Sequence, residues 1–271
     1  MSEKIALDIT TVSETLLIPL WAKAVEQKES VPLLVDHEAP RMMAMIDYDF
    51  NKFANAKLSQ AGCSGRAQLF DREAQAFIAS HPDAVVVQLG AGLDARYERL
   101  GRPAVTAWYD LDLPEVIELR KQLLPASHNH YLGCSLFDED WMTRIAACNK
   151  PTLLLCEGVL MYFDIADVKA LFATLARHLP QATLVFDIIP TILVGKAKQH
   201  DSLRTMGKTP PEFKWSLKDS RELEQWLPGL QRQHESLLSK TCGRRYPWFF
   251  RAILRCIGPR FDQRIVRVRL P

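Results

Sequence analysis

Two periods of apolar residues divide the chain. From the N-terminus to about residue 80 they recur at helical spacing, in Thr15–Val25 and again in Gly65–Ile78, with a Pro- and Asp-rich stretch around Asp36 to Asp49 between them. From His81-Pro82 onward, short β-branched runs alternate with helical ones, the signature of a parallel sheet with crossover helices. The predicted strands are Ala84–Leu89, Val105–Leu111, His130–Gly133, Thr152–Cys156 and Thr183–Ile188. Predicted crossover helices include Pro114–Leu124 and Ile165–Leu179, the second capped by Asp164. Past Pro190 the pattern turns irregular, gives Ser220–Trp226 as a helix, and closes on the strictly alternating Arg264–Leu270. A late strand of that kind inserts antiparallel at a sheet edge. The expected architecture is therefore α/β: a doubly wound, mostly parallel sheet with a late antiparallel strand. Residues 1–80 are expected to form a helical lid or substrate cap. Residues 81–271 are expected to form the core, with an insertion at about 190–250, in one compact domain overall.

Composition narrows the class. With 48% hydrophobic and 24% charged residues, the 271-residue chain has the apolar content to bury a sizeable core. The first residues carry acids where a signal peptide needs a basic start. The apolar run Pro151 to Phe163 is broken by Glu157, so no spanning segment is expected. Six cysteines (Cys63, Cys134, Cys148, Cys156, Cys242, Cys256) include no C-x-x-C pair. That pattern points to the cytoplasm and removes a zinc ribbon or a radical-type iron–sulfur cluster. The seven histidines show no ligand spacing, and no metal is assigned. Net charge is only +2, yet residues 231–271 hold ten Lys/Arg against two acids. Within them Arg244–Arg255 mixes arginines with aromatics. The preferred reading is a helix packing Trp248, Phe249 and Ile253 on the sheet with its arginines in water, ahead of a peripheral membrane surface or a nucleic-acid patch. No nucleic-acid partner is expected, and oligomeric state leaves no signal.

The chemistry begins at the first predicted strand, which runs into Gly90-Ala91-Gly92-Leu93-Asp94. Gly90 and Gly92 let the backbone turn tightly and approach a ligand without a Cβ in the way. Asp110 and Asp112 lie about 20 residues further on, at the end of the next strand, where a carboxylate accepts ribose hydroxyls. By itself this turn suits either S-adenosylmethionine (SAM) or a dinucleotide. The preceding helices favour SAM, as does Asp94 inside the turn, a carboxylate that matches a cationic sulfonium and ammonium better than a pyrophosphate.

Three segments in register carry a resemblance: Val87–Arg96, Trp108–Val116 and Cys156–Tyr162. They resemble the leucine carboxyl methyltransferase family, and within it a bacterial branch similar to tetracenomycin-type polyketide O-methyltransferases. The similarity runs from about residue 10 to 270 and includes Pro211-Glu212-Phe213-Lys214-Trp215. It implies a Rossmann-like class I methyltransferase sheet, SAM as cofactor, and SAM contacts from Gly90, Asp112 and Glu157. It also implies an Arg before the first strand that meets the bound SAM or a substrate carboxylate, matched by Arg66, and an N-terminal basic residue, matched by Lys23. Where the family has an Asp-Leu pair near the adenine, this chain reads Ser135-Leu136, with Asp138 and Asp140 as substitutes.

The expected cofactor-binding set is thus Lys23, Arg66, Gly90, Gly92, Asp94, Asp110, Asp112, Ser135, Leu136 and Glu157, with Arg66 and Tyr162 as catalytic candidates that position an acceptor. Against these stand blander roles, a surface ion pair of Arg66 with Asp71 or Glu73 and core packing for Tyr162. The function expected is a SAM-dependent O-methyltransferase acting on a carboxylate or hydroxyl of a small metabolite. The alternatives are an NAD(P)-linked oxidoreductase and a non-catalytic SAM-binding regulator.

Overall fold

A computed structural model describes residues 4–7, 14–199, 201–203, 211–248, 251–252 and 261–271. Its centre is a seven-stranded sheet: β1 (Val85–Leu89), β2 (Ala107–Asp112), β3 (His130–Gly133), β4 (Thr152–Cys156), β5 (Thr183–Ile188), β6 (Gln231–Leu237) and β7 (Arg264–Arg269). The spatial order is β3-β2-β1-β4-β5-β7-β6. β1 to β5 pair in parallel, and β7 runs antiparallel to both β5 and β6. The order reverses between β1 and β4, and the crevice beyond the carboxyl ends of strands at such a point is where open α/β sheets take ligands.

Five of the predicted strands and the closing antiparallel one are present, within two residues of the expected bounds. β6 was not predicted. Its sequence Gln-Arg-Gln-His-Glu-Ser-Leu carries no apolar alternation, because it lies at the sheet edge and is interrupted by a register shift between Arg232 and His234. The segment expected as a helix at Ser220–Trp226 is a 3-10 turn, Ser220–Gln225, held by a capping box between Asp219 and Glu222.

Three layers build the core. Val85, Val87 and Leu89 point to one face, where they join Trp141, Ile145, Phe172 and Leu175 from α6 (Glu139–Ala146) and α7 (Ile165–His178). Val86 points to the other, with Leu69, Phe70 and Ala74 of the long helix α3 (Lys57–Ser80). α3 is therefore more than a lid. Its second half covers the sheet, and its first half reaches the strand ends with α1 (Leu17–Glu26) and α2 (Glu38–Met45). α2 falls in the Pro- and Asp-rich stretch around Asp36 to Asp49, for which no element was predicted. Pro40 sits in its first turn, where a missing N–H costs nothing, and Asp36 accepts from the N–H groups of Glu38 and Ala39 at 3.1 and 2.9 Å. α4 (Arg96–Arg99) and α5 (Pro114–Leu123) follow β1 and β2, and α8 (Leu238–Cys242) follows β6.

The basic C-terminal region departs from expectation. Trp248 is 79% exposed rather than packed on the sheet, while Phe249 and Ile253 lie outside the described residues. Several arginines there are spent internally. Arg245 pairs with Glu26 and Glu29, Arg267 with Glu73, and the buried Arg264 donates to the Leu217 carbonyl. Among the described residues no helix is long and apolar enough to cross a membrane, and no group of three or more His, Cys, Asp or Glu side chains is placed to hold a metal.

Candidate active site

A cavity of about 660 Å³ opens at the carboxyl ends of β1 to β4, within the ~300–1,000 Å³ of small-ligand sites. The turn after β1 forms its floor. Gly90 and Gly92 adopt φ of 67° and 52°, where side chains are disfavoured. A Cβ on Gly90 would stand 2.4 Å from Val159 Cγ2, so the loop after β4 rests on this turn and needs it bare. The Gly92 N–H donates to Asp112 Oδ2 at 2.7 Å, and Leu113 N–H to Asp112 Oδ1 at 2.8 Å. Asp112 lines the cavity, and burial pushes its carboxyl above the usual range despite these two donors. A carboxylate has about four lone-pair sites, so the two left over suit a ribose diol. The residues present therefore fit a nucleoside.

Asp110 is a different matter. It is fully buried, does not line the cavity, and accepts from Trp108 Nε1 at 3.1 Å and Asn129 Nδ2 at 2.7 Å, with Arg120 Nη2 at 3.2 Å. The strand's alternation sends Asp110 and Asp112 to the same side, but only Asp112, the last residue of β2, reaches the cavity. A direct cofactor contact from Asp110 does not fit this geometry. Ser135 and Leu136 line the cavity at the end of β3. The Ser135 N–H donates to Asp138 Oδ2 and its Oγ accepts from Phe137 N–H, so Asp138 is committed to the turn. Half-exposed Leu113 and Phe137 give this end an apolar rim.

Behind the turn lies a buried ion network that joins the remaining expected cofactor-binding residues, Lys23, Arg66, Asp94 and Glu157. Asp94 takes Lys23 Nζ at 2.5 Å, Arg99 Nη1 at 2.9 Å, Arg96 Nη2 at 3.1 Å and the Gln88 amide at 3.1 Å. Burial alone would raise the Asp94 carboxyl, but Arg96, Arg99 and Lys23 outweigh it and hold it well below its usual range. Its charge is thus balanced by the protein itself, which removes the argument that Asp94 waits for a cationic ligand. Arg96 also reaches Asp71 at 2.8 Å and Glu157, and Arg99 reaches Asp71 and Asp36. Arg66, for which a surface ion pair with Asp71 or Glu73 was the blander alternative, is turned inward. Its Nε donates to Glu157 Oε1 at 2.9 Å and its Nη1 lies 3.5 Å from Asp187 Oδ2. In all, Lys23, Arg66, Arg96 and Arg99 face Asp36, Asp71, Asp94, Glu157 and Asp187.

Sequence reasoning missed several of these residues. Asp187 is the penultimate residue of β5, where its Oδ1 accepts from Gly158 N–H at 2.6 Å and its Oδ2 from Gln263 Nε2 at 2.7 Å. An acid inside the fully buried run Thr183–Ile188 was itself a signal, since such residues are rarely buried unpaired. Gly158 has φ of 71°, and a Cβ there would stand 2.7 Å from Arg66 Nη2, so its glycine makes room for that guanidinium. Arg96 and Arg99 gave no signal beyond their place after the turn.

Tyr162 lines the far end of the cavity with Cys63, Arg66 and Tyr246. Burial pushes the Tyr162 phenol up to about 12 and raises Cys63 and Tyr246 as well, so all three stay protonated near neutrality. The segment at Phe213–Trp215 is fastened over the Leu160–Tyr162 turn, Lys214 N–H donating to the Met161 carbonyl at 2.8 Å.

Comparison with known proteins agrees with this architecture. The sequence model of the leucine carboxyl methyltransferase family matches residues 17–176. The tetracenomycin polyketide synthesis O-methyltransferase TcmP of Streptomyces glaucescens is 37% identical over 87% of this chain and 85% of its own length. A SAM-dependent methyltransferase of Gibberella zeae, dpfgK, is 26% identical over 93% of this chain and 92% of its own. Among solved structures, a candidate SAM-dependent methyltransferase from Listeria monocytogenes superposes with a TM-score of 0.51 at 12% identity, covering 77% of this chain and 99% of that one, which supports the fold. The glycine turn, the strand order and these matches lead to one conclusion: this chain belongs to the leucine carboxyl methyltransferase family and is a SAM-dependent methyltransferase.

Proposed function

We propose that the enzyme O-methylates a carboxylate of a small, largely apolar metabolite. Bound SAM supplies a methyl group on an already cationic, activated sulfur. What remains for the protein is to position the acceptor and exclude water. In this reading Asp112 receives the ribose, Ser135 and Leu136 flank the adenine, and Lys23, Arg66 and Glu157 meet the amino-acid end. Arg66 and Tyr162 then hold the acceptor oxygen against the methyl group. The observation that supports a carboxylate is the protonation of the acceptor end. Tyr162, Tyr246 and Cys63 are all pushed up by burial, and no histidine lines the cavity among the described residues. That set donates hydrogen bonds but offers no base titrating near neutrality, which a carboxylate does not need and an alcohol or weakly acidic phenol does. The Streptomyces relative, a polyketide-synthesis O-methyltransferase, supports a natural-product acceptor.

Labelled methyl transfer measured from pH 6 to 9 should be flat, and mild alkali should release the label as expected for an ester. A rate that rises through neutral pH with an alkali-stable product would reverse the reading. The base would then be sought at Asp262, a cavity-lining carboxylate that burial raises. Arg66→Lys keeps the charge but loses the fork between Glu157 and Asp187, and is expected to lower turnover roughly tenfold to a hundredfold.

A further inference from the structure

The peptide of Gly92 is gripped on both sides. Its N–H donates to Asp112, and its carbonyl accepts from Arg120 Nη1 at 2.9 Å. Arg120 comes from α5, is completely buried, lies over the Tyr131 ring at 5.1 Å and stands 3.2 Å from Asp110. Asp110 is in turn fixed by Trp108 and Asn129. None of these side chains but Asp112 lines the cavity. A glycine peptide at positive φ has little of its own to hold its plane. Burying a charged pair is costly, and here it yields a hydrogen bond to a turn carbonyl that no other described side chain supplies.

We propose that Arg120, braced by Asp110, is a positioning residue for the cofactor turn: it locks the Gly92 peptide and so aims Asp112 at the ribose. The inference rests on placing the ribose at Asp112. Without the Arg120 bond the Gly92 peptide can rotate, its N–H leaves Asp112, and the carboxylate loses its fixed orientation.

The test is Asp110→Asn combined with Arg120→Met, which removes both buried charges together and so avoids stranding either one. Binding of SAM, and separately of adenosine, is measured by titration calorimetry on the whole chain, with thermal unfolding as a control. Both affinities are expected to fall by about tenfold, consistent with loss of an ordered charged hydrogen bond, while the unfolding midpoint moves little. Affinities within twofold of the unaltered protein, or a loss for SAM that adenosine does not share, would overturn the proposal. Should the double variant not fold, Arg120→Lys serves, because it keeps a cation against Asp110 without the two-pronged reach. A several-fold loss of both affinities supports the proposal and unchanged affinities overturn it. Asp112→Ala, expected to weaken both ligands roughly tenfold to a hundredfold, separates the two ideas. No effect there sinks the ribose placement and this proposal with it, whereas an effect there alone sinks only this one.

Discussion

The two ends of the cavity are built on different principles. At the end formed by the turn after β1, where the nucleotide is proposed to sit, the lining groups are two glycines, backbone N–H donors and one carboxylate, supplied by consecutive strand ends and bonded across about 20 residues. At the other end they are charged side chains from α1, α3, α4, the loop after β4 and the end of β5, meeting across separations such as 91 and 121 residues. A backbone turn holds its shape once the strands pair. An ion network holds its shape only while every charge has its partner, because one stranded charge in a dry interior costs more than the pair contributed. The first end should therefore respond to substitution as a local affinity change, the second as a loss of the folded state.

That contrast can be broken in order of effect. Arg96→Met, which takes one buried cation away from Asp71, Asp94 and Glu157 together and leaves the network one positive charge short, is expected to cost ~3–5 kcal/mol of stability, a large part of a domain's usual ~5–15 kcal/mol. Urea denaturation checks it, and an unchanged midpoint would mean the network contributes little. Gly158→Ala places a Cβ against Arg66 at a positive φ, for about 1–2 kcal/mol of strain. It should lower methyl transfer while adenosine still binds with its original affinity, so a shared loss would show that the two ends are not separable. The smallest effect is expected at Asp112. Because burial raises its carboxyl, folding favours the protonated form. The stability this contributes is complete below the ordinary carboxylate range and is lost as pH rises through the shifted value. At pH 7 Asp112→Asn should then leave the melting temperature of the ligand-free protein unchanged or slightly raised, the difference vanishing below about pH 4. A clear drop at neutral pH would mean that Asp112 holds the fold as well as the ligand.

The same division explains what could be read from the sequence. Strands with β-branched runs announce themselves, and Gly90, Gly92 and Asp112, which line the cavity, could be singled out because their spacing is set by one β-α-β unit. Lys23, Arg66 and Glu157 came from resemblance rather than from pattern, and their mutual contacts through Asp94, Arg96 and Asp187 had no sequence period to betray them. Asp110 misled because two acids one residue apart both look available in a strand. Only the packing of α5, with Arg120 beneath the turn, decides between them. α2 and β6 were not predicted for different reasons: α2 is a short helix that opens on Asp36 and Pro40 and carries too few turns to show an apolar period, and an edge strand had no buried face to pattern.

That edge strand has a consequence for how copies of the molecule meet. A sheet ends in unpaired backbone groups that invite another chain to add on. Here one margin is β3, only four residues long, and the other is β6, polar along its length and disrupted at Gln233 by the register shift. Neither presents a long, flat, apolar row, so sheet extension from molecule to molecule is disfavoured at both margins, and the protein can expose a wide parallel sheet's rims in a crowded solution without zipping to its neighbours.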